Sequence, residues 1–303
     1  MPDTVTVDLA DVRARARAAF VGLAVGDALG APVEFMTAAE IRAKHRVHRE
    51  MTGGGWLHLR PGCFTDDTEM SRCIARAVDA AGGFDLRGIA DALSAWMRGR
   101  PVDVGSTVRK GLRSYILDGQ LETPPNEWDA GNGAAMRTLP VALLALGDEA
   151  LLDRCQVAQA HLTHNHPFSD AACATLGRMA QLAVLGLSMV RLRREADLLV
   201  ERFPAFRFEP YRGLATGYVV DTLQTVLHHL FTTRSFEDCL VATVNQGGDA
   251  DTTGAIAGAV AGAYYGLDGI PRRWLRRMDT AALAELERLA VRLVDLSPLA
   301  RAR

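Results

Sequence analysis

Cysteine is scarce and follows no pairing pattern. The five cysteines of this 303-residue chain (Cys63, Cys73, Cys155, Cys173 and Cys239) are scattered, odd in number and never form a C-x-x-C pair. That excludes a zinc ribbon and offers no disulfide framework, so they read as reduced intracellular thiols packed as small apolar groups. An excess of positive charge is missing too. With 34 Lys+Arg against 36 Asp+Glu the formal net charge is −2, which argues against nucleic acid as a partner, because a domain that grips phosphates shows a basic stripe. The short run "RARARA" at 13–18 reads as a solvated helix face. Long apolar runs are absent as well. The longest, 254–266, has 13 residues, short of the roughly 20 needed to span a bilayer. The N-terminal "MPDTVTVDLADVRARARAAF" carries charges throughout and has no apolar signal-peptide core. A soluble, cytoplasmic protein without a membrane span is the expectation.

Strand-like alternation is scarce, whereas helical spacing is everywhere. Apolar residues recur at three- and four-residue steps in 86–97, 141–147, 171–187, 219–231 and 280–296. Gly- and Pro-rich breaks fall at 52–62, 118–133, 163–167 and 202–213, and none is long or polar enough for an interdomain linker. The pattern predicts an all-α protein, one compact domain over 1–303, long enough to bury a substantial core. Gly22, Gly26 and Gly30 recur every four residues, as do Gly254, Gly258, Gly262 and Gly266. Glycine costs about 0.8–1 kcal/mol per helical position, so these stripes predict close approach between helix backbones.

The polar residues at the ends of those helices carry the chemistry. "NQGGDADTTG" (245–254) has Asp249, Asp251, Thr253 and Gly254 at positions one, three, five and six of an EF-hand loop. Position twelve is Val260 instead of a bidentate Glu, so that reading fails. "FTDDTEM" (64–70) places Thr65, Asp66 and Asp67 at another helix start. Either cluster alone reads as a helix cap. A cap needs one carboxylate, however, and a second adds repulsion. Together, Thr65, Asp66, Asp67, Asp249, Asp251 and Thr252 form an all-oxygen set suited to Mg²⁺ or Mn²⁺, enough for a binuclear centre if they converge.

Other candidates are individually weaker. Asp27, inside a glycine-rich helix, is expected to hydrogen-bond a loop. Glu34, after Pro32, is a candidate to hold a metal-bound water. Arg100 and Asp103 sit on a loop before a helix, where Asp103 by itself reads as a cap or turn residue. Gly131 and Gly133 flank Asn132 at a predicted helix start, whose free N–H groups suit a phosphate or ribose hydroxyl. "HLTHNHP" (161–167) matches no zinc spacing; His164 is expected to contact ligand and the other two histidines to satisfy loop backbone. Arg109, Lys110 and Arg113 read as a solvated face.

"GLAVGDALGAPVEF", "FTDDTEM", "GNGAAMR", "THNHP" and "NQGGDADTTGAIAG" resemble, in order, the signature segments of the ADP-ribosylglycohydrolase family, across residues 22–258. "EFMTAAEIRAKHRVHREMTGGGW", "RPVDVG", "FRFEPY" and "VDTLQTVLHHLF" are similar to its dinitrogenase reductase-activating branch well outside the metal motifs. The resemblance implies an all-α fold around two divalent cations, Mn²⁺ or Mg²⁺, held by Thr65, Asp66, Asp67, Asp249, Asp251 and Thr252. It implies Glu34 beside the metals, Arg100 and Asp103 where a modified arginine enters, and Gly131, Asn132, Gly133, Met136 and His164 along an ADP-ribose cleft. The implied reaction is hydrolysis of the N-glycosidic bond between ADP-ribose and arginine. Glu34 would act as base or water holder, and Asp103 as the acid for the departing guanidine or as a clamp on it. ADP-ribosylated dinitrogenase reductase is the implied substrate and a PII-type signalling protein an implied partner. Three rivals remain: serine-linked or ester-linked ADP-ribose as substrate, a non-catalytic ADP-ribose binder, and a metal phosphohydrolase.

Overall fold

Apolar residues at three- and four-residue steps fold here as helices that bury those steps against one another. The computed structural model describes residues 8–302, and among them fifteen α-helices and four short 3-10 turns are connected by loops, with no β-strand. In chain order the first helices are α1 (Leu9–Gly30), α2 (Ala38–His45), α3 (Asp66–Ala81), α4 (Leu86–Arg98) and α5 (Ser106–Asp118). There follow α6 (Leu139–Leu144), α7 (Glu149–His161), α8 (Pro167–Val184), α9 (Met189–Arg202) and α10 (Val219–Thr232). The last are α11 (Phe236–Val244), α12 (Ala250–Tyr265), α13 (Arg272–Leu275), α14 (Thr280–Leu296) and α15 (Pro298–Arg301). The expected helices at 86–97, 219–231 and 280–296 coincide with α4, α10 and α14. The run at 141–147 gives only the short α6, which is over before Gly147 turns the chain at φ 88°.

α1 and α12 form the axis of the molecule. α12 is buried from Ala250 to Ala263 and α1 throughout Ala18–Gly30, so neither has a polar face along those stretches. Their contact is made by the glycine stripes. A Cβ on Gly26 would collide with the carbonyl of Gly254, one on Gly22 with that of Gly258, and one on Gly262 with that of Ala18. Gly266 departs from the expected stripe: it lies past the end of α12 at φ 76° with open space around it, and it terminates the helix. α3, α8 and α14 pack around this pair, and one apolar cluster runs through all of them.

Two expectations about α1 need correction. By length and composition it is the one helix among the described residues that passes as a membrane span (Leu9–Val33, mean hydropathy 1.3), but 94% of its apolar window is buried inside the protein. A search for continuous apolar runs misses it because arginines interrupt its first half and Asp27 its second. Those arginines are also not simply solvated. Arg13 pairs with Asp295 of α14 at 2.7 Å, and Arg15 donates to the carbonyls of Ala263 and Tyr264 at the C-terminal end of α12. The first seven residues of the N-terminal segment lie outside the described residues.

Candidate functional site

Most aspartates at helix starts in this chain do ordinary capping. Asp8, Asp85, Asp148 and Asp279 each accept a backbone N–H from the first turn of α1, α4, α7 and α14. The two sequence clusters behave differently. At α3 the N-cap is Thr65, and at α12 it is Asp249; neither side chain makes a capping bond. The capping of α3 is done from outside by Asp27 of α1. Its Oδ1 accepts from Thr65 N and Oγ1 at 2.8 and 2.9 Å, and its Oδ2 from Thr68 N and Oγ1 at 3.0 and 2.6 Å. Asp27 thus plays the structural part expected of it, and it leaves Asp66 and Asp67 free.

The two clusters meet. Thr65 Oγ1 lies 3.1 Å from Asp67 Oδ2 and 3.3 Å from Asp251 Oδ2, residues 186 positions apart in the chain. The Thr252 side chain also lies beside Asp67. Glu34, at the end of a 3-10 turn (Ala31–Val33), completes the wall: one carboxylate oxygen each of Glu34, Asp103 and Asp251 lie within 4.8 Å of one another. Seven carboxylates therefore share this region, counting Asp27, Glu34, Asp66, Asp67, Asp103, Asp249 and Asp251. Among the described residues no Lys, Arg or His side chain pairs with any of them. The positive ends of α3 and α12 converge on the site and offset part of that charge.

Burial dominates the electrostatics. It pushes the Asp66, Asp67 and Asp251 carboxyls well above the usual range, and the neighbouring carboxylates push further in the same direction. Burial carries Glu34 to about 7, against a hydrogen bond from Trp56 that pulls it back. Asp27 reaches about 6 for the same reason, held down by its bonds from Thr68 and Thr65. Asp103 is raised as well, by burial first. Asp67 Oδ1 is buried with no hydrogen-bond partner, and the Thr65 hydroxyl has one proton to offer to three carboxylate neighbours. An all-oxygen, over-charged, under-donated cluster of this kind fits a hard divalent cation.

The loop before α12 places Asp249. Gly247 and Gly248 have φ of 72° and 63°, and a Cβ on either would collide with a carbonyl, that of Met36 or of Ala215. Phe35 N donates to Gly248 O at 2.6 Å and Gly248 N returns a bond to Met36 O at 2.8 Å, tying the Glu34 corner to the residue before Asp249.

A family model described as ADP-ribosylglycohydrolase matches residues 8–303. The chain belongs to the ADP-ribosylglycohydrolase family. It is 54% identical over 288 residues to the ADP-ribosyl-[dinitrogen reductase] glycohydrolase of Rhodospirillum rubrum, covering 95% of this chain and 98% of that one. It is 32% identical to the ADP-ribosylarginine hydrolase Tri1 of Pseudomonas putida (strain GB-1), over 94% of this chain and 79% of the relative. A solved structure titled ADP-ribosylglycohydrolase-related protein complex superposes with a TM-score of 0.83 at 33% identity, covering 95% and 99% of the two chains.

In this ADP-ribosylglycohydrolase the remaining candidates are less uniform. Asn132 holds Asp249: its Nδ2 donates to Asp249 Oδ2 at 2.8 Å and to Thr222 Oγ1 at 3.0 Å. Its backbone N–H is not free, since it donates to Gly217 O, and the chain turns 3-10 at Ala135–Arg137 before α6 begins. Gly131 and Gly133 are small because the His164 ring lies behind them, about 3 Å from where a Cβ would stand. His164 is 2% exposed. Met136 packs in the apolar core, and Arg100 is exposed at φ 56°, three residues before Asp103. His166 caps α8 through Phe168 N, whereas His161 faces the carboxylates of Glu122 and Asp170 instead of loop backbone.

Two features escaped the sequence. Trp56 Nε1 donates to Glu34 Oε2 at 2.7 Å, a pairing no spacing rule encodes. Arg137, fully buried, donates to Thr163 Oγ1 at 2.8 Å, and that hydroxyl is 2.7 Å from His164 Nδ1. Arg137 only donates, and among the described residues His164 Nδ1 is the one acceptor within reach of the Thr163 proton, which favours the Nε2–H tautomer of His164. Burial and the nearby Arg137 charge push His164 down to about 3, so the ring is neutral.

Proposed function

We propose that this chain is a metal-dependent hydrolase that removes ADP-ribose from a modified arginine side chain, with ADP-ribosylated dinitrogenase reductase as its protein substrate. The observation that carries the reading is the meeting of Thr65, Asp67 and Asp251 across 186 residues, which joins two acidic clusters into one site. The Rhodospirillum rubrum relative is named for this acceptor, and the Pseudomonas putida relative for ADP-ribosylarginine. The reading places the enzyme with that substrate in the cytoplasm.

Two divalent cations, Mn²⁺ or Mg²⁺, suit the donor set, with Thr65, Asp66, Asp67, Asp249, Asp251 and Thr252 as ligands. When bound, such ions would neutralise the carboxylates, offer Lewis-acid sites to the ribose hydroxyls and make water more acidic. Glu34, held by Trp56, takes a proton from the attacking water. The water oxygen adds to the anomeric carbon, the carbon–nitrogen bond breaks, and the ribose keeps the new hydroxyl. The departing guanidine takes the proton that Asp103 carries at the start, a role its raised affinity for protons suits, and the proton taken up by Glu34 then replaces it. Asn132 keeps Asp249 oriented while this happens.

The deciding experiment is intact mass spectrometry of arginine-ADP-ribosylated dinitrogenase reductase after incubation with the protein and Mn²⁺. Return to the unmodified mass, with free ADP-ribose released and no AMP, is the expected result. An unchanged mass for the reductase, but turnover of an ADP-ribosyl-arginine peptide, would overturn the acceptor and keep the chemistry.

A further inference from the structure

The Glu34 corner and the loop around Trp56 hold two large aromatic rings in the open beside the carboxylates. Phe35 is 65% exposed and Trp56 is 49% exposed, with ring centroids 5.4 Å apart and planes inclined at 45°. Core packing explains neither ring. The backbone makes the point sharper. Phe35 has φ 62°, in the left-handed region that a bulky residue avoids and glycine would occupy freely. The corner is held there by the reciprocal bonds between Phe35 N and Gly248 O and between Gly248 N and Met36 O. Trp56 follows three glycines, Gly53, Gly54 and Gly55, all at positive φ, and its indole N–H is fixed on Glu34. Two strained or specially shaped loops therefore hold exposed aromatic rings next to Glu34 and, through it, Asp103.

Exposed aromatic rings beside anionic oxygens form a chemically specific surface. It suits a planar, delocalised and weakly hydrated cation, which stacks on the rings while its N–H groups face the carboxylates. A guanidinium has this form, and a serine hydroxyl has neither the charge nor the plane. We propose that Phe35 and Trp56 form the acceptor subsite, receiving the guanidinium of the ADP-ribosylated arginine, and that Trp56 is in addition the positioning residue for Glu34. The assignment rests on the proposed arginine chemistry and sharpens it, because it makes the aromatic pair the element that selects arginine.

The test uses the full-length, Mn²⁺-loaded protein and three variants, Phe35→Ala, Trp56→Ala and Trp56→Phe. An ADP-ribosyl-arginine peptide is the substrate, free ADP-ribose the inhibitor, and agmatine in the presence of ADP-ribose the calorimetric probe of guanidinium binding. Phe35→Ala is expected to raise KM about tenfold and to weaken agmatine to the same degree, with ADP-ribose inhibition unchanged. Trp56→Phe keeps a ring and loses the donor, so KM holds while kcat falls about tenfold; Trp56→Ala shows both effects. Unchanged KM and agmatine affinity in Phe35→Ala would overturn the subsite, and so would a KM rise matched by equal loss of ADP-ribose inhibition, which signals local collapse. Wild-type protein that binds agmatine through Phe35 without cleaving the peptide would support the subsite and sink the proposed reaction.

Discussion

At Asp27 one carboxylate accepts from two backbone amides and two hydroxyls, and by doing so it releases the aspartates after Thr65 from capping. Asp67 is the residue most exposed to the consequence, since its Oδ1 is buried without a partner. Asp67→Asn removes one buried negative charge at nearly constant shape. ADP-ribose release is expected to fall by at least about 100-fold, and the melting temperature measured in EDTA at pH 8 to rise by roughly 2–4 °C as repulsion is relieved. A variant that keeps the wild-type rise in melting temperature on adding Mn²⁺ would show that Asp67 is no ligand. The relay from Arg137 through Thr163 to His164 makes a second residue-scale prediction. Long-range ¹H–¹⁵N imidazole spectra should show wild-type His164 as the Nε2–H tautomer and Thr163→Val as a mixture. Loss of the Arg137 acceptor should also cost about 1–3 kcal/mol of stability in urea unfolding. An Nδ1–H wild type would contradict the relay.

Among the elements, α1 and α12 decide how still the site is held. Their backbones touch along Gly22–Gly258 and Gly26–Gly254, and the same two helices carry Asp27 and, at the start of α12, Asp249 and Asp251. Helix propensity alone would make Gly258→Ala stabilising by about 0.8–1 kcal/mol. The structure predicts the opposite sign, because the added methyl meets the Gly22 carbonyl and forces the helices apart. A loss of about 2–4 kcal/mol in urea unfolding is the expected outcome, and a gain would refute the close contact.

Over the whole molecule, a chain of net charge −2 concentrates seven carboxylates at one place. Without a cation, Glu34 holds its proton to about pH 7 and Asp27 to about pH 6, against ordinary values of 4.5 and 3.8. Between those limits the folded state binds more protons than the unfolded one, so unfolding free energy falls as pH rises. The contribution is complete below the ordinary carboxylate range and is lost as pH passes through about 7. Melting in EDTA should therefore drop steadily from about pH 5 to about pH 8, and Mn²⁺ should raise it most at the alkaline end. A pH-independent melting temperature in EDTA would argue that burial does not raise the Glu34 and Asp27 carboxyls.

The helical class was legible because apolar spacing is a local property: α4, α10 and α14 stand where the pattern put them. The glycine stripes were legible because only backbone contact repays their cost, and the acidic clusters because two adjacent carboxylates exceed what a cap needs. α1 was harder to see, since arginines in its first half break the run that its second half continues. The pairing of Trp56 with Glu34, of Asn132 with Asp249 and of Arg137 with Thr163 was invisible, as was the burial of Met136 in the core. Composition and spacing by themselves determined the residue types at each helix start and the faces that had to be buried. Only the tertiary structure decided which starts meet, because a carboxylate's field depends on distances between segments that sequence separation does not encode.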